Sequence, residues 1–320
     1  DIAIGFSSIF LRQVLIRNAE DRLLAGARSA ANNVDAYLLS RLDTVAATAT
    51  YIDIRGYLLL PAEERRGTPT EYQVQNLLYT LANRDTDALS YALLDMNGLN
   101  IVDSNTSAIG SDESDQEYFN FPLNSRKTFV SPIQYLEEDR NEGVFFFSAP
   151  VQNDMGNTIG VFRAKYRASA LQELLAAEEN IAGEDAFSIL FDSNHIVLAH
   201  ARDENLIGKT AYTPNPQDIA NLRERNLIPA SLETNEASLN IKAIEEGLNE
   251  FAETPFFSSS ETPIDIPVTG AVAQLKNIPW LIVSAQPQAV FLAPVQTQAR
   301  RSVLSALILT VLAAFSGVGL

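Results

Sequence analysis

The residues whose types and spacing could do chemistry are few. Arg163 and Lys165 sit two apart in an alternating run, residues 158–166 (TIGVFRAKY), that reads as a β-strand. Together with Val161 they share one face of that strand. If the face borders a pocket, two cations there favour an anionic ligand, held by charge-assisted hydrogen bonds to a carboxylate. On an outer face the same pair are solvated cations, and both readings stay open. Tyr118, Phe119, Tyr135 and Phe147 are candidate pocket walls, although aromatics beside a sheet equally serve a plain core. Asp115 and Glu117 are candidate hydrogen-bond acceptors for a ligand, or simply solvated loop carboxylates.

Catalysis finds little support, and the expectation is a non-enzymatic chain without cofactor or metal. His195 and His200 are the only histidines. Five apart on a predicted strand, they fall on opposite faces and do not form a chelating pair. No Gly-x-Ser-x-Gly elbow, P-loop or His-Glu-x-x-His occurs. Asp112-Glu113-Ser114-Asp115 offers oxygens for calcium but lacks the periodic spacing of an EF-hand loop.

The elements that must position these residues are legible from pattern. Residues 144–151 are aromatic and β-branched, and with 158–166 they form a hairpin around Asn153-Asp154-Met155-Gly156-Asn157. Residues 89–104 form another hairpin, with Asn97-Gly98 at its turn. Between the two hairpins runs a polar, aromatic-bearing segment, residues 108–142, of a length that is usually functional. The pattern then repeats: strands at 186–192 and 195–200, an acidic excursion at 210–262 with a helix near 241–251, and strands at 266–275 and 280–286. Ahead of all this, Leu23, Ala27, Ala30, Val34, Leu38, Val45, Ala49 and Ile52 make one helical stripe. It predicts a helix of roughly 60 Å that docks on a sheet or pairs with a second copy as a stalk.

Composition bounds the partners. The chain has 320 residues, 46% of them hydrophobic, no cysteine, and a formal net charge of −17. That length suits two domains. The charge argues against nucleic acid, because phosphate binding needs a basic surface. Residues 303–320 are uncharged and apolar, which predicts the start of a transmembrane helix. Residues 2–11 are apolar but too short to span.

The order of these pieces resembles the double Cache (dCache) sensor modules of bacterial chemoreceptors, sensor kinases and cyclases. The resemblance is carried by Leu94-Asp95-Met96-Asn97-Gly98, Asp115-Gln116-Glu117-Tyr118-Phe119, Ser131-Pro132, Ala149-Pro150-Val151 with Ile159-Gly160-Val161, and Ile278-Pro279-Trp280 with Gln286-Pro287. It implies an α+β fold: two tandem PAS-like modules with antiparallel sheets on a long N-terminal helix, followed by a C-terminal transmembrane helix. The implied divisions are a membrane-helix end (1–18), stalk and packing helices (19–87), a membrane-distal module (88–182), a membrane-proximal module (183–287, insertion 210–262), a juxtamembrane helix (288–302) and the transmembrane start (303–320).

The resemblance further implies a small-molecule ligand in the distal module, with Ser131 added to the site candidates; the Ala-rich stripe, leading toward the membrane, predicts a homodimer. It places the folded region outside the inner or plasma membrane of a bacterium, ahead of a cytoplasmic output domain. The amino-acid-binding branch has an Arg-x-Trp-Tyr stretch and a later Asp. Here those places hold Gln116-Glu117-Tyr118-Phe119 and Lys165, which speaks against an ordinary α-amino acid. The alternative function is an envelope-anchored protein that docks a partner through residues 210–262.

Overall fold

The structure, a computed structural model, describes residues 2–139, 142–259 and 267–294, with side chains from residue 9 onward. It opens on helix α1 (Ile2–Ala49). Its stripe of Ala19, Leu23, Ala27, Ala30, Val34, Leu38, Val45 and Ala49 is buried. One continuous helix was expected over most of residues 19–57; it covers 19–49 of that span and stops at Thr50. Thr50 N and Tyr51 N bond back three residues, to Ala47 O and Thr48 O at 3.1 and 3.0 Å. The Thr48 and Thr50 hydroxyls also bond nearby carbonyls (Thr44 O and Ala47 O), which draws this threonine-rich turn out of helical register. A separate helix α2 (Ile52–Leu59) follows, and Ile52 is exposed rather than part of the stripe.

After α3 (Pro69–Arg84), capped by Thr68, come β1 (Ala88–Leu94) and β2 (Asn100–Asp103). The segment expected to be irregular contains a helix, α4 (Glu117–Ser125), and two short strands, β3 (Phe129–Val130) and β4 (Gln134–Tyr135). Strands β5 (Gly143–Gln152) and β6 (Thr158–Arg167) form the central hairpin. The order β2-β1-β6-β5-β3, with β4 also on β5, makes a six-stranded sheet whose pairings are all antiparallel.

Helix α5 (Ser169–Ala176) leads to β7 (Phe187–Phe191) and β8 (Val197–His200). His195 lies in the turn before β8 with φ 57°, not in the strand as expected. The excursion holds α6 (Pro216–Glu224), α7 (Lys242–Glu250) and β9 (Phe256–Ser259). Strands β10 (Val268–Gln274) and β11 (Leu281–Pro287) and the short α8 (Gln288–Phe291) are the last elements of the described residues. The second sheet runs β8-β7-β11-β10-β9, again antiparallel. Ile219, Leu222, Leu227 and Ile228 of the excursion are buried against Ile196, so this apolar side is consumed by the chain itself.

Helix α1 lies across both sheets. The stripe expected to dock on a sheet or pair as a stalk is spent on the chain's own core from Ala19 to Ala49. Two polar anchors fix the helix. Asp35 accepts from the backbone N–H of Lys276 and Asn277, at 2.7 and 3.3 Å, in the β10–β11 turn. Arg41 pairs with Asp85 and Asp87, each at 3.4 Å, ahead of β1. Among the described residues no helix is long and apolar enough to cross a membrane. The apolar run 303–320 and most of 288–302 lie outside the described residues.

Candidate ligand-binding cavity

Strand alternation divides the first sheet into two faces. Phe145, Phe147, Phe162, Ala164 and Tyr166 join the core that includes α1. Val144, Phe146 and Val161 turn the other way, toward Tyr118 and Phe119 of α4. On this second face a cavity of about 640 Å³ opens beneath the loop after β2 and the short turn Glu137–Asp139. Ser90, Asn105, Asp112, Glu113, Gln116, Tyr118, Asp139, Phe146, Arg163 and Lys165 are among its walls. Its size is in the ordinary range for a small-molecule site.

The floor is a closed charge network. Arg163 is 4% exposed. Its Nε and Nη2 donate to the two oxygens of Glu113 at 3.0 and 2.9 Å. Nη2 also reaches Asp103 at 3.1 Å, and Nη1 donates to Ser90 Oγ at 2.7 Å. Glu113 further accepts from Tyr118 Oη at 2.9 Å and Asn100 Nδ2 at 3.0 Å. Burial alone would raise the Glu113 pKa, but Arg163, with the Tyr118 and Asn100 donors, outweighs it and holds the group below the ordinary carboxylate range. Tyr118 stacks on Phe146 with centroids 4.1 Å apart. Nearer the opening, Lys165 Nζ pairs with Asp139 at 2.6 Å, both side chains being partly exposed.

The cavity thus brings together Tyr118, Arg163 and Lys165, and the other candidates lie elsewhere. Phe119 packs in the cluster under α4. Phe147 is on the opposite face of β5, against the α1 core. The Ser131 hydroxyl donates to Pro132 O and accepts from Phe146 N, so it staples a turn. Asp115 and Glu117 point to solvent, because α4 turns its Tyr118 and Phe119 side inward. Tyr135 lines a different cavity, between the sheets. Glu113, Asp103 and Asp139 are the site residues that pattern reading missed. Their signal was indirect: an arginine on a buried strand face requires carboxylates. The run 112–115 does not converge on an ion, since Glu113 turns inward to Arg163 while Asp112 caps Ser114 N. Among the described residues no group of three or more His, Cys, Asp or Glu is placed to hold a metal.

Both cations already face carboxylates, and the lining carries Asp112, Glu113 and Asp139 against Arg163 and Lys165.

Two antiparallel sheets share one long helix, and a polar cavity lies under the loops of the first. Residues 10–295 match the Cache domain model dCache_1, and the chain belongs to that family. Such domains are the ligand-binding, extracytoplasmic parts of membrane receptors. The sensor domain of the Vibrio cholerae histidine kinase DctB superposes with TM-score 0.65 at 13% identity, covering 86% of this chain and 98% of its own. The Campylobacter jejuni chemoreceptor Tlp3 sensory domain with isoleucine bound gives 0.57 at 18%, covering 89% and 98%. The Pseudomonas aeruginosa chemoreceptor PctC ligand-binding domain in complex with GABA gives 0.56 at 16%, covering 83% and 99%. At these identities the likeness is one of fold. No curated protein matches the chain.

Proposed function

We propose that this chain is the extracytoplasmic sensing region of a bacterial transmembrane receptor, and that its ligand is a small zwitterion seated over β6. The first sheet is then the membrane-distal module, and helices beyond the second carry the signal to a cytoplasmic output domain. The observation that carries the ligand class is the Lys165–Asp139 pair at 2.6 Å in the cavity lining. A ligand with one charge satisfies one member of that pair and takes away the other's partner. A ligand with a carboxylate and an ammonium replaces both, with no net change in buried charge. Relatives of the same fold hold isoleucine and GABA, which are zwitterions.

Calorimetry and thermal shift with GABA, α-amino acids, succinate and putrescine test this. A zwitterion at ~100 times its dissociation constant should add roughly 2.7 kcal/mol of stability. Lys165→Ala and Asp139→Asn should each weaken it about tenfold to a hundredfold, as expected for a lost hydrogen bond to a charged group. Binding of succinate alone would return the site to the anionic reading. Unchanged affinity in both variants would remove this pair from the site.

A further inference from the structure

The wall of the first cavity that carries Asp139 is tied to the other half of the chain. Residues 134–139 run from β4 through Leu136, which lines the cavity, to the turn Glu137–Asp139. Their hold on the first sheet is short. β4 pairs with β5 at two positions, Gln134 with Val144 and Tyr135 with Gly143. At Tyr135 the segment reaches away from that sheet. Its N–H donates to Asn226 O at 2.7 Å. Its side chain is 7% exposed, and the hydroxyl lies 3.8 Å from where a Cβ on Gly208 would stand. That same point is 2.5 Å from Pro229 Cδ, so Gly208, Pro229 and the Tyr135 hydroxyl meet at one spot.

The receiving surface is firm. Asn226 follows α6 with φ 56°, and its N–H bonds Arg223 O at 2.9 Å. Leu222, Leu227 and Ile228, around it in sequence, are buried with Ile196. On the other side of Tyr135, Asp139 N–H bonds back to Leu136 O at 3.1 Å, which joins the turn to the end of β4. We infer that Tyr135 is a positioning residue for the ligand site. The second half of the chain, through Gly208, Asn226 and Pro229, sets where Asp139 stands beside Lys165, and with it the affinity of the first cavity. This rests on the zwitterion reading and adds the regulation of that site. Tyr135 does not line the cavity, so its effect passes through Asp139. The coupling is reciprocal: a ligand ammonium that fixes Asp139 also tightens the hold of Tyr135 on Asn226.

The test uses the whole chain with Tyr135→Ala, Gly208→Ala and, as control, Gly247→Ala. Gly208 has φ +85°, and its new Cβ would displace Pro229 beside Tyr135. Gly247, in α7 of the same half, would instead meet Phe257 at 2.8 Å. Without ligand, amide hydrogen exchange at Asp139 should quicken about threefold to tenfold in the first two variants, the worth of one hydrogen bond. The Gly247 variant should leave it unchanged. With GABA and L-isoleucine as probes, Kd should rise about fivefold or more in the first two variants and stay level in the control, although all three lower Tm. A bound probe should slow exchange of the Tyr135 N–H in the wild type. The inference is overturned if exchange at Asp139 is unchanged in both Tyr135→Ala and Gly208→Ala, or if Gly247→Ala weakens binding equally. If neither probe binds the wild type, the zwitterion reading falls by its own test. Exchange at Asp139 alone then decides whether Tyr135 positions that turn.

Discussion

Removing Glu113 tests whether the floor of the first cavity is a structural device. In the folded chain Glu113 receives both Arg163 bonds, at 2.9 and 3.0 Å, together with the Tyr118 hydroxyl, Asn100 Nδ2 and Ser111 Oγ. Glu113→Ala deletes five contacts and leaves a guanidinium, 4% exposed, with Asp103 and Ser90 alone. Breaking a buried pair from one side costs about 3–5 kcal/mol, because the remaining charge stays desolvated. Asp103 softens the loss, so the expected figure is about 3 kcal/mol, near the lower end of that range. Urea denaturation followed by circular dichroism reads it as a lower midpoint at unchanged slope. The sign with pH follows from the depressed Glu113 pKa: its contribution is complete above the ordinary carboxylate range and is lost as pH falls through the folded-state value. The gap between wild type and variant should therefore close in acid. A loss below ~1 kcal/mol at neutral pH, or a gap that does not shrink in acid, would show that Arg163 does not depend on this carboxylate.

Two other perturbations have clear directions. Burial pushes the His200 imidazole down to about 4, with nearby Arg202 in the same sense and Asp203 against it. Its Nδ1 accepts from Arg202 N and Asp203 N, which favours the neutral ring. The unfolded chain takes up that proton first, so stability should be full above the ordinary histidine value and fall by about 3 kcal/mol on acidification toward pH 4. His200→Gln should remove that slope from the difference between urea titrations at pH 7 and in mild acid; a difference independent of pH refutes it. Gly98 has φ +81°, and a Cβ there would lie 2.5 Å from Ser114 Cα. Gly98→Ala should cost at least about 1–2 kcal/mol for the left-handed backbone alone and should also weaken ligand binding, because Gly98 O accepts from Glu113 N at 2.9 Å. Asn97→Ala, one residue earlier, is the control, and equal effects at the two positions would refute the steric argument.

Much of the framework was legible because local chemistry and tertiary demand agree. The two hairpins of the first sheet combine β-branched or aromatic runs with turns that need Gly98 and Gly156 at positive φ. Helix α4 was hidden by Pro122 in its middle and by an N-cap, Gln116, that makes no side-chain cap. The site was half legible. Parity placed Arg163 and Lys165 on one face, but the register of β5 against β6 was not known. That register sets Phe146 opposite Lys165 and Ser148 opposite Arg163, so Phe147 must face away. Asp103, Glu113 and Asp139 come from a strand end, a loop and a turn, and no local period connects them to β6. Tyr135 was misplaced for a related reason. β4 pairs with the first residues of β5, at the edge nearest the second sheet, and its side chain crosses that boundary.

The strand β6 has one more consequence. Residues 163 and 165 border the cavity, while 162, 164 and 166 touch the core of the long helix. Ligand wall and helix are separated by the thickness of one peptide chain. Tyr166 Oη donates to Asp85 at 2.8 Å, and Asp85 holds Arg41 of α1. Six residues before Arg41, about 9 Å along the axis, Asp35 grips the hairpin of the other sheet. A rod held by two brackets so close together cannot absorb a relative shift of those brackets by bending. A relative shift of the two sheets must therefore strain or break one bracket, the Asp35 bonds to the β10–β11 turn or the Arg41 pairs ahead of β1.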